Sequence, residues 1–280
     1  MHTLLLKKMP FNGLIQSKKI EVKVVLWFER CFLRGDTDPI TIGKRIVLPP
    51  SFTGSPRYMV QNYQDAMAIS RWAGYPDLFL TFTCNPKWPE INHCLEFIED
   101  LKYEDQPDIV ARVFKIKLDK LLHDLRHKSH FGGVIAIVYT IEFQKRGFPH
   151  AHILLFLDPK DKCPSPIDID IIIMAEIPDL DDDPVANEAV KQFIMHGPCG
   201  STKLKSPCMV NGKCTKHFPK RFYEETIIDE EGFPIYRRIN DGKTIEKNGI
   251  LLNNLYVVPY NVDILVKYQS HLSVEWCNRS

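Results

Sequence analysis

The sequence predicts an α+β fold that carries a Cys/His-rich, loop-rich C-terminal extension. Three observations predict it. Residues 107–128 have the apolar spacing of a long helix. Two β-branched, apolar runs at 134–143 and 150–157 are separated only by the polar turn QKRGFP, as in an antiparallel hairpin. From His196 onward the chain changes to Cys, Gly, Pro and Lys.

Residues 1–27 have no clear period. Gly35 to Pro56 is rich in turn formers, with Asp38-Pro39, Pro49-Pro50 and Gly54-Ser55-Pro56. Val60 to Trp72 reads as a helix, with Val60, Tyr63, Ala66 and Met67 on one face. DLFLTFTCN, residues 77–85, is apolar, aromatic and β-branched, and reads as a buried strand. Pro107 suits a first helical turn. Ile109, Val113, Ile116, Leu118, Leu121, Leu122 and Leu125 then form a wide apolar stripe, which Gly132-Gly133 ends. Pro184 to Met195 reads as another helix. Residues 224–258 suggest short strands around Gly232, Gly242 and Gly249, and Asn261 to Leu272 reads as helix.

The chain has 280 residues, of which 44% are hydrophobic and 25% charged, so it can bury a core without disulfides. The formal net charge is +1, which by itself favours no class of partner. Local charge is uneven. Lys7, Lys8, Lys18 and Lys19 make a basic start, Lys203 to Arg221 is a second basic stretch, and 179–183 is acidic. No run of eighteen apolar residues exists and the start lacks a cleavage-like site, so neither a membrane span nor a signal peptide is expected. The eight cysteines are therefore read as reduced thiols or metal ligands.

Alternating strand side chains put His150 and His152 on one face, with Cα atoms roughly 6–7 Å apart. Two imidazoles at that separation can close on one ion. Glu142 is the candidate third ligand, because the turn brings the end of the first strand beside the start of the second. Two histidines and a carboxylate, with positions left for water and phosphate, suit Mg²⁺ or Mn²⁺ in a phosphoryl-transfer site. The plainer reading of a bare H-x-H is a pair of half-exposed strand histidines.

His196, Cys199, Cys208, Cys214 and His217 lie within 22 residues. Thiolates and imidazole suit tetrahedral Zn²⁺. Five residues compete for four places; Cys199, Cys208, Cys214 and His217 are the preferred set, with His196 as alternate. Lys216, Lys220 and Arg221 offer phosphate contacts beside it.

Four blocks, GKRIVLPPSFTGSPRYMVQNYQDAM, PDLFLTFTCNPKWPEI, EFQKRGFPHAHILLF and HGPCG…SPCM…GKCTKHFPK, resemble the N-terminal helicase-like segment of Helitron transposases, in the same order, from about Gly35 to the end. The resemblance implies a Rep-type HUH endonuclease that nicks and joins single DNA strands at transposon ends in rolling-circle transposition. It also implies a helicase domain in cis, absent from these 280 residues. A nuclear location would follow from DNA transposition. It implies a central antiparallel sheet flanked by helices, with the histidine pair on a central strand. FLTFTCN resembles the first Rep motif, which makes Thr81, Thr83 and Asn85 candidates to meet DNA. Lys145 and Arg146 on the hairpin turn and Arg57 in the first block are further candidates, and Phe82, Trp88 and Phe148 are available for base stacking.

Such an enzyme attacks phosphate with a tyrosine hydroxyl, and the family has two, one helical turn apart. They follow a segment like VPYNVDILVKYQSHLSVEWCN, which here runs to Ser280. The expectation is that the tyrosine helix lies past the last residue. Tyr256 and Tyr260 have the right spacing, but Val257, Val258 and Pro259 favour an extended chain. Tyr268 is a weak catalytic candidate on an expected helix. Whether the fragment is an enzyme stays open at this point. The resulting organisation is an N-terminal segment over 1–34, a Rep/HUH core over 35–160, an acidic linker and helix over 161–195, and a zinc-like segment with the end of the Rep region over 196–280. The competing readings are a non-catalytic nucleic-acid-binding remnant and a zinc-binding interaction module.

Overall fold

A computed structural model describes residues 52, 55–96, 103–127, 130–144, 147–162, 165–200 and 203–277. The expected N-terminal segment, its lysines, and Lys145 and Arg146 lie outside the described residues. The chain divides into two compact units, one ending at Trp72 and one beginning at Ala73.

In the first unit, helix α1 spans Pro56–Ala73. Ser55 caps it, with its hydroxyl accepting from the Tyr58 N–H at 3.2 Å, and Pro56 occupies the first turn. Of the expected apolar face only Ala66 is buried. Val60, Tyr63 and Met67 are exposed, while Asn62 and Ala66 are buried. Apolar side chains exposed in this way are common on folded proteins.

The second unit is built on a four-stranded antiparallel sheet in the order β10-β1-β3-β2. Strand β1 is Leu78–Thr83, β2 is Val134–Phe143, β3 is Pro149–Leu157 and β10 is Leu272–Trp276. The fold is thus α+β with a central antiparallel sheet, as the sequence predicts. The hairpin turn closes through Gly147, whose φ of +81° favours glycine, and Gln144 N–H donates to Phe148 O at 2.9 Å.

Every strand is two-faced. Leu78, Leu80 and Phe82, Ala151, Ile153 and Leu155, Ile137 and Tyr139, and Leu272 and Val274 all enter one hydrophobic cluster. Helices α2 (Pro89–Leu95), α3 (Pro107–His127) and α4 (Pro166–Ile172) add Ile91, then Val113, Phe114, Leu118, Leu121 and Leu125, then Ile169. Ile116, expected in the α3 stripe, is exposed, and Phe114 takes its place in the core. Helix α4 falls in the expected linker. Its capping box joins Ser165 and Asp168, with the Asp168 carboxylate accepting from the Ser165 hydroxyl at 2.6 Å.

Helix α5 (Pro184–Ala189) runs into a π-turn at Val190–Ile194. Three small hairpins follow: β4–β5 (Met209–Val210, Lys213–Cys214), β6–β7 (Ile227–Ile228, Pro234–Ile235) and β8–β9 (Ile245–Lys247, Ile250–Leu252). Gly232 and Gly249 sit in two of these turns, as the sequence predicts. Val190, Ile194, Ile245, Leu252, Val257 and Tyr260 form a second cluster with Leu265 of α6 (Val262–Tyr268). The chain then turns at Gln269 (φ 47°) into β10, three residues before the end of the helix that the sequence predicts to Leu272.

Tyr268 lies in the core, on the helix-covered face. Its ring meets Phe82 edge-on, and its hydroxyl donates to buried Asp124 at 2.7 Å, which Lys267 also pairs. We expect Phe82→Ala to cost about 3–5 kcal/mol through lost transfer energy and a cavity. Tyr268→Phe should cost about 1–2 kcal/mol through the lost charged hydrogen bond. Urea unfolding midpoints check both.

Candidate metal centre

The face of the sheet opposite the main core carries the polar half of the same strands. Glu142 is directly opposite His150 across the β2–β3 hairpin, and Thr140 is opposite His152. On the other side of β3, Thr83 is opposite His150 and Thr81 opposite His152. One ligand atom from each of Glu142, His150 and His152 can be chosen so that all lie within 4.8 Å of one another. The His152 Nε2 is 3.2 Å from Glu142 Oε1, and the two imidazoles meet edge-to-face at 4.6 Å. These three groups can hold a metal ion.

Their surroundings hold them in place. His150 is buried, and its Nδ1 is 2.8 Å from the Thr83 hydroxyl. That contact fixes the ring and leaves Nε2 for a ligand bond, with Nδ1–H then donating to the threonine oxygen. Burial pulls the His150 imidazole down to about 4, the charge of His152 adds to this, and Glu142 opposes it. The ring is therefore neutral at physiological pH, the form that binds metal. Phe79 stacks flat on His152 with ring centres 5.7 Å apart.

The other candidates divide. Thr81 bonds Ser273 on β10 at 2.7 Å, tying two strands at the floor of the site. Asn85 points away, donating to Gln269 O at 2.7 Å and accepting from Lys87 N–H. Arg57 is exposed on α1, in the other unit. Phe82 and Trp88 are core residues, with the Trp88 indole N–H donating to Tyr268 O at 2.8 Å. Phe148 packs against the same core. Tyr260 is fully buried and donates to Glu176 O at 3.0 Å.

An open groove of about 1120 Å³ runs along this face. Its lining includes the two histidines with Phe79, Thr81 and Thr83, and it extends to His196 and the run Lys216–Arg221. Phe79, Phe218 and Glu275 escaped the sequence reading. The signal for Phe79 was its alternation with Leu78 and Leu80, which assigns it to the histidine face. Burial lowers the Lys220 ammonium, and the charge of Arg238 adds to this, while Glu275 opposes it.

A second group forms beside the groove. His196, Cys199, Cys208 and Cys214 also offer ligand atoms that all lie within 4.8 Å of one another, and can hold a metal. The histidine in this set is His196, the alternate; His217 lines the groove instead. Burial, reinforced by the neighbouring thiols, pushes Cys199 up to about 12. At Cys214 burial also acts upward, but N–H bonds from Phe218 and Lys216 and the other two thiols outweigh it and lower the value.

Residues 15–155 match the family described as the Helitron helicase-like domain at N-terminus. The chain belongs to this family. The Helitron-like match takes in β1, β2 and nearly all of β3, with Glu142, His150, His152 and Thr83, and stops before the Cys/His group. Membership makes this a Helitron-related protein and points to nucleic acid as the class of partner. No curated protein matches the chain. Among the described residues, no helix is long and apolar enough to cross a membrane.

Two outcomes are expected. Thr83→Val should keep the fold and weaken Mn²⁺ binding by about 10–100-fold, as loss of a ligand-orienting contact does, measured by titration calorimetry. In metal-free protein, the unfolded chain takes up a proton at His150 near 6.5 and the folded chain only near 4. Stability should therefore fall as pH drops through that window, and His150→Gln should flatten the fall in urea midpoint.

Proposed function

We propose that this Helitron-like domain is the metal-binding and strand-holding part of a rolling-circle transposase, built to nick and join single-stranded DNA. The observation that carries the reading is the Glu142–His150–His152 group opening onto a groove that also carries Lys216, Lys220 and Arg221. A metal-binding site beside a cationic groove suits a phosphodiester.

The donor set of two imidazoles and one carboxylate fits Mg²⁺ or Mn²⁺ with coordination positions left for phosphate and water. Such an ion, when bound, polarises the scissile phosphate. Thr83 and Phe79 keep the two imidazoles oriented towards it, and burial of His150 keeps its ring neutral. The lysines and arginine hold the strand through its phosphates.

Nicking also needs a tyrosine hydroxyl. Tyr260 and Tyr268 are each bonded through their hydroxyl and buried. We assign neither as nucleophile. The proposed role therefore covers metal and strand binding, and no cleavage is assigned to these residues. A transposase with this chemistry works on chromosomal DNA, hence in the nucleus, and its helicase partner domain would act on the same strand.

The test uses a labelled single-stranded oligonucleotide with Mn²⁺. Binding should weaken steadily with salt, and no covalent adduct should survive denaturing electrophoresis. A protein–DNA adduct would show that the nucleophile is present. Binding indifferent to salt would sink the groove assignment.

A further inference from the structure

The segment between the two hydrophobic clusters lacks an apolar reason to keep its shape. Neither cluster draws a residue from 196–235. Within 203–221, the buried positions are Ser206 and Cys214 alone. Yet its backbone is specific. Asn211 (φ 50°) takes the left-handed form as the first residue of the Asn-Gly turn of β4–β5, but His217 (φ 56°) adopts one that L-residues seldom take without cause.

Four side chains converge where a core would otherwise be. The ligand atoms of His196, Cys199, Cys208 and Cys214 fit the spread of four donors each about 2.0–2.3 Å from one central ion. Cys199 and Cys214 are buried, and the His196 Nε2 lies 3.3 Å from Cys214 Sγ. The Lys216 N–H donates to that sulfur at 3.4 Å, a contact that favours thiolate. Three sulfurs and one imidazole select Zn²⁺ over the oxygen-seeking ions of the first site.

The same residues reach the groove. His196 is both a member of the group and part of the groove lining. Its ring stacks on Phe218 with centres 4.2 Å apart, and Lys220 Nζ sits 5.2 Å from that ring. The Cys214 carbonyl accepts from His217 N–H at 2.9 Å, so the turn that leads to the groove lysines starts at a ligand.

We propose that His196, Cys199, Cys208 and Cys214 hold one structural Zn²⁺, and that this ion fixes Lys216, Phe218 and Lys220 as the wall along which a single DNA strand lies. The identity of the strand rests on the function proposed above; the zinc site does not. Phosphates meet the lysines and a base edge or face meets Phe218. Without zinc the wall keeps the Lys220 N–H bond to Leu255 O at 3.0 Å but has no hydrophobic cluster behind it to set the position of Lys216 and Phe218.

The experiment measures zinc per chain, affinity for a single-stranded oligonucleotide by anisotropy, and far-ultraviolet circular dichroism. Unmodified protein should carry one zinc. His196→Ala and Cys208→Ser should lose it and bind DNA about tenfold or more weakly. H196C, which keeps four ligands, should retain zinc and affinity even if the other two variants fold poorly. Replacing Lys216 and Lys220 together with alanine should keep the zinc and reduce the slope of log affinity against log salt by about 1.4, at roughly 0.7 per phosphate contact. Unmodified protein that carries no zinc yet binds DNA overturns the metal assignment. Zinc loss with unchanged DNA affinity overturns the link to the groove. Bound zinc with no DNA binding in unmodified protein overturns the strand reading and with it the proposed role of the wall.

Discussion

The alternation of side chains along β3 is the constraint from which the rest follows. Ala151, Ile153 and Leu155 enter the core, so His150 and His152 must face the other way. One strand thus anchors the fold and presents the ligands. Its neighbours obey the same rule. Phe82 and Leu80 pack inward while Thr83 and Thr81 stand beside the histidines, and Val274 packs inward while Ser273 braces Thr81. The rigidity of the core is therefore passed directly to the candidate metal ligands, with no loop between them.

The two metal groups solve different physical problems. Glu142, His150 and His152 sit on a sheet that is stable through apolar burial, so the fold gives their geometry in advance. His196, Cys199, Cys208 and Cys214 sit in a segment that contributes to neither hydrophobic cluster. There a bound ion would supply the cohesion that apolar burial does not. The first group comes from residues that are neighbours across a hairpin, the second from residues gathered over a loop-rich stretch. Both border the same groove.

Much of this was legible in the sequence, for identifiable reasons. The hairpin, α3 and the His-x-His pair follow from periods of two and 3.6, and Glu142 follows from the short turn. Strand β10 was missed because the apolar residues of 261–272 continue a helical pattern, and only the left-handed Gln269 ends it. The choice of His196 over His217 depends on a fold-back of distant segments, with His196 N–H held by Tyr256 O at 2.8 Å. Spacing along the chain carries no trace of that contact. Thr83 is a candidate DNA contact through the resemblance of FLTFTCN to the first Rep motif, not through anything its neighbours in sequence show. Its 2.8 Å contact with His150 shows what it touches. Tyr268 is a weak catalytic candidate from the sequence because its partner Asp124 lies 144 residues earlier in the chain, where no spacing rule reaches.

The direct opposition of Glu142 and His150 has a consequence for how the hairpin forms. Strand pairing has a two-residue repeat, so closing one position out of step would bring Ile141 or Phe143 beside His150 and turn the carboxylate to the apolar side. Such a hairpin keeps its backbone bonds but loses its third ligand. An ion that binds only the complete set therefore favours the in-step pairing by mass action. A metal held there would act on folding as a check of register, rejecting a mistake that hydrogen bonds alone would tolerate.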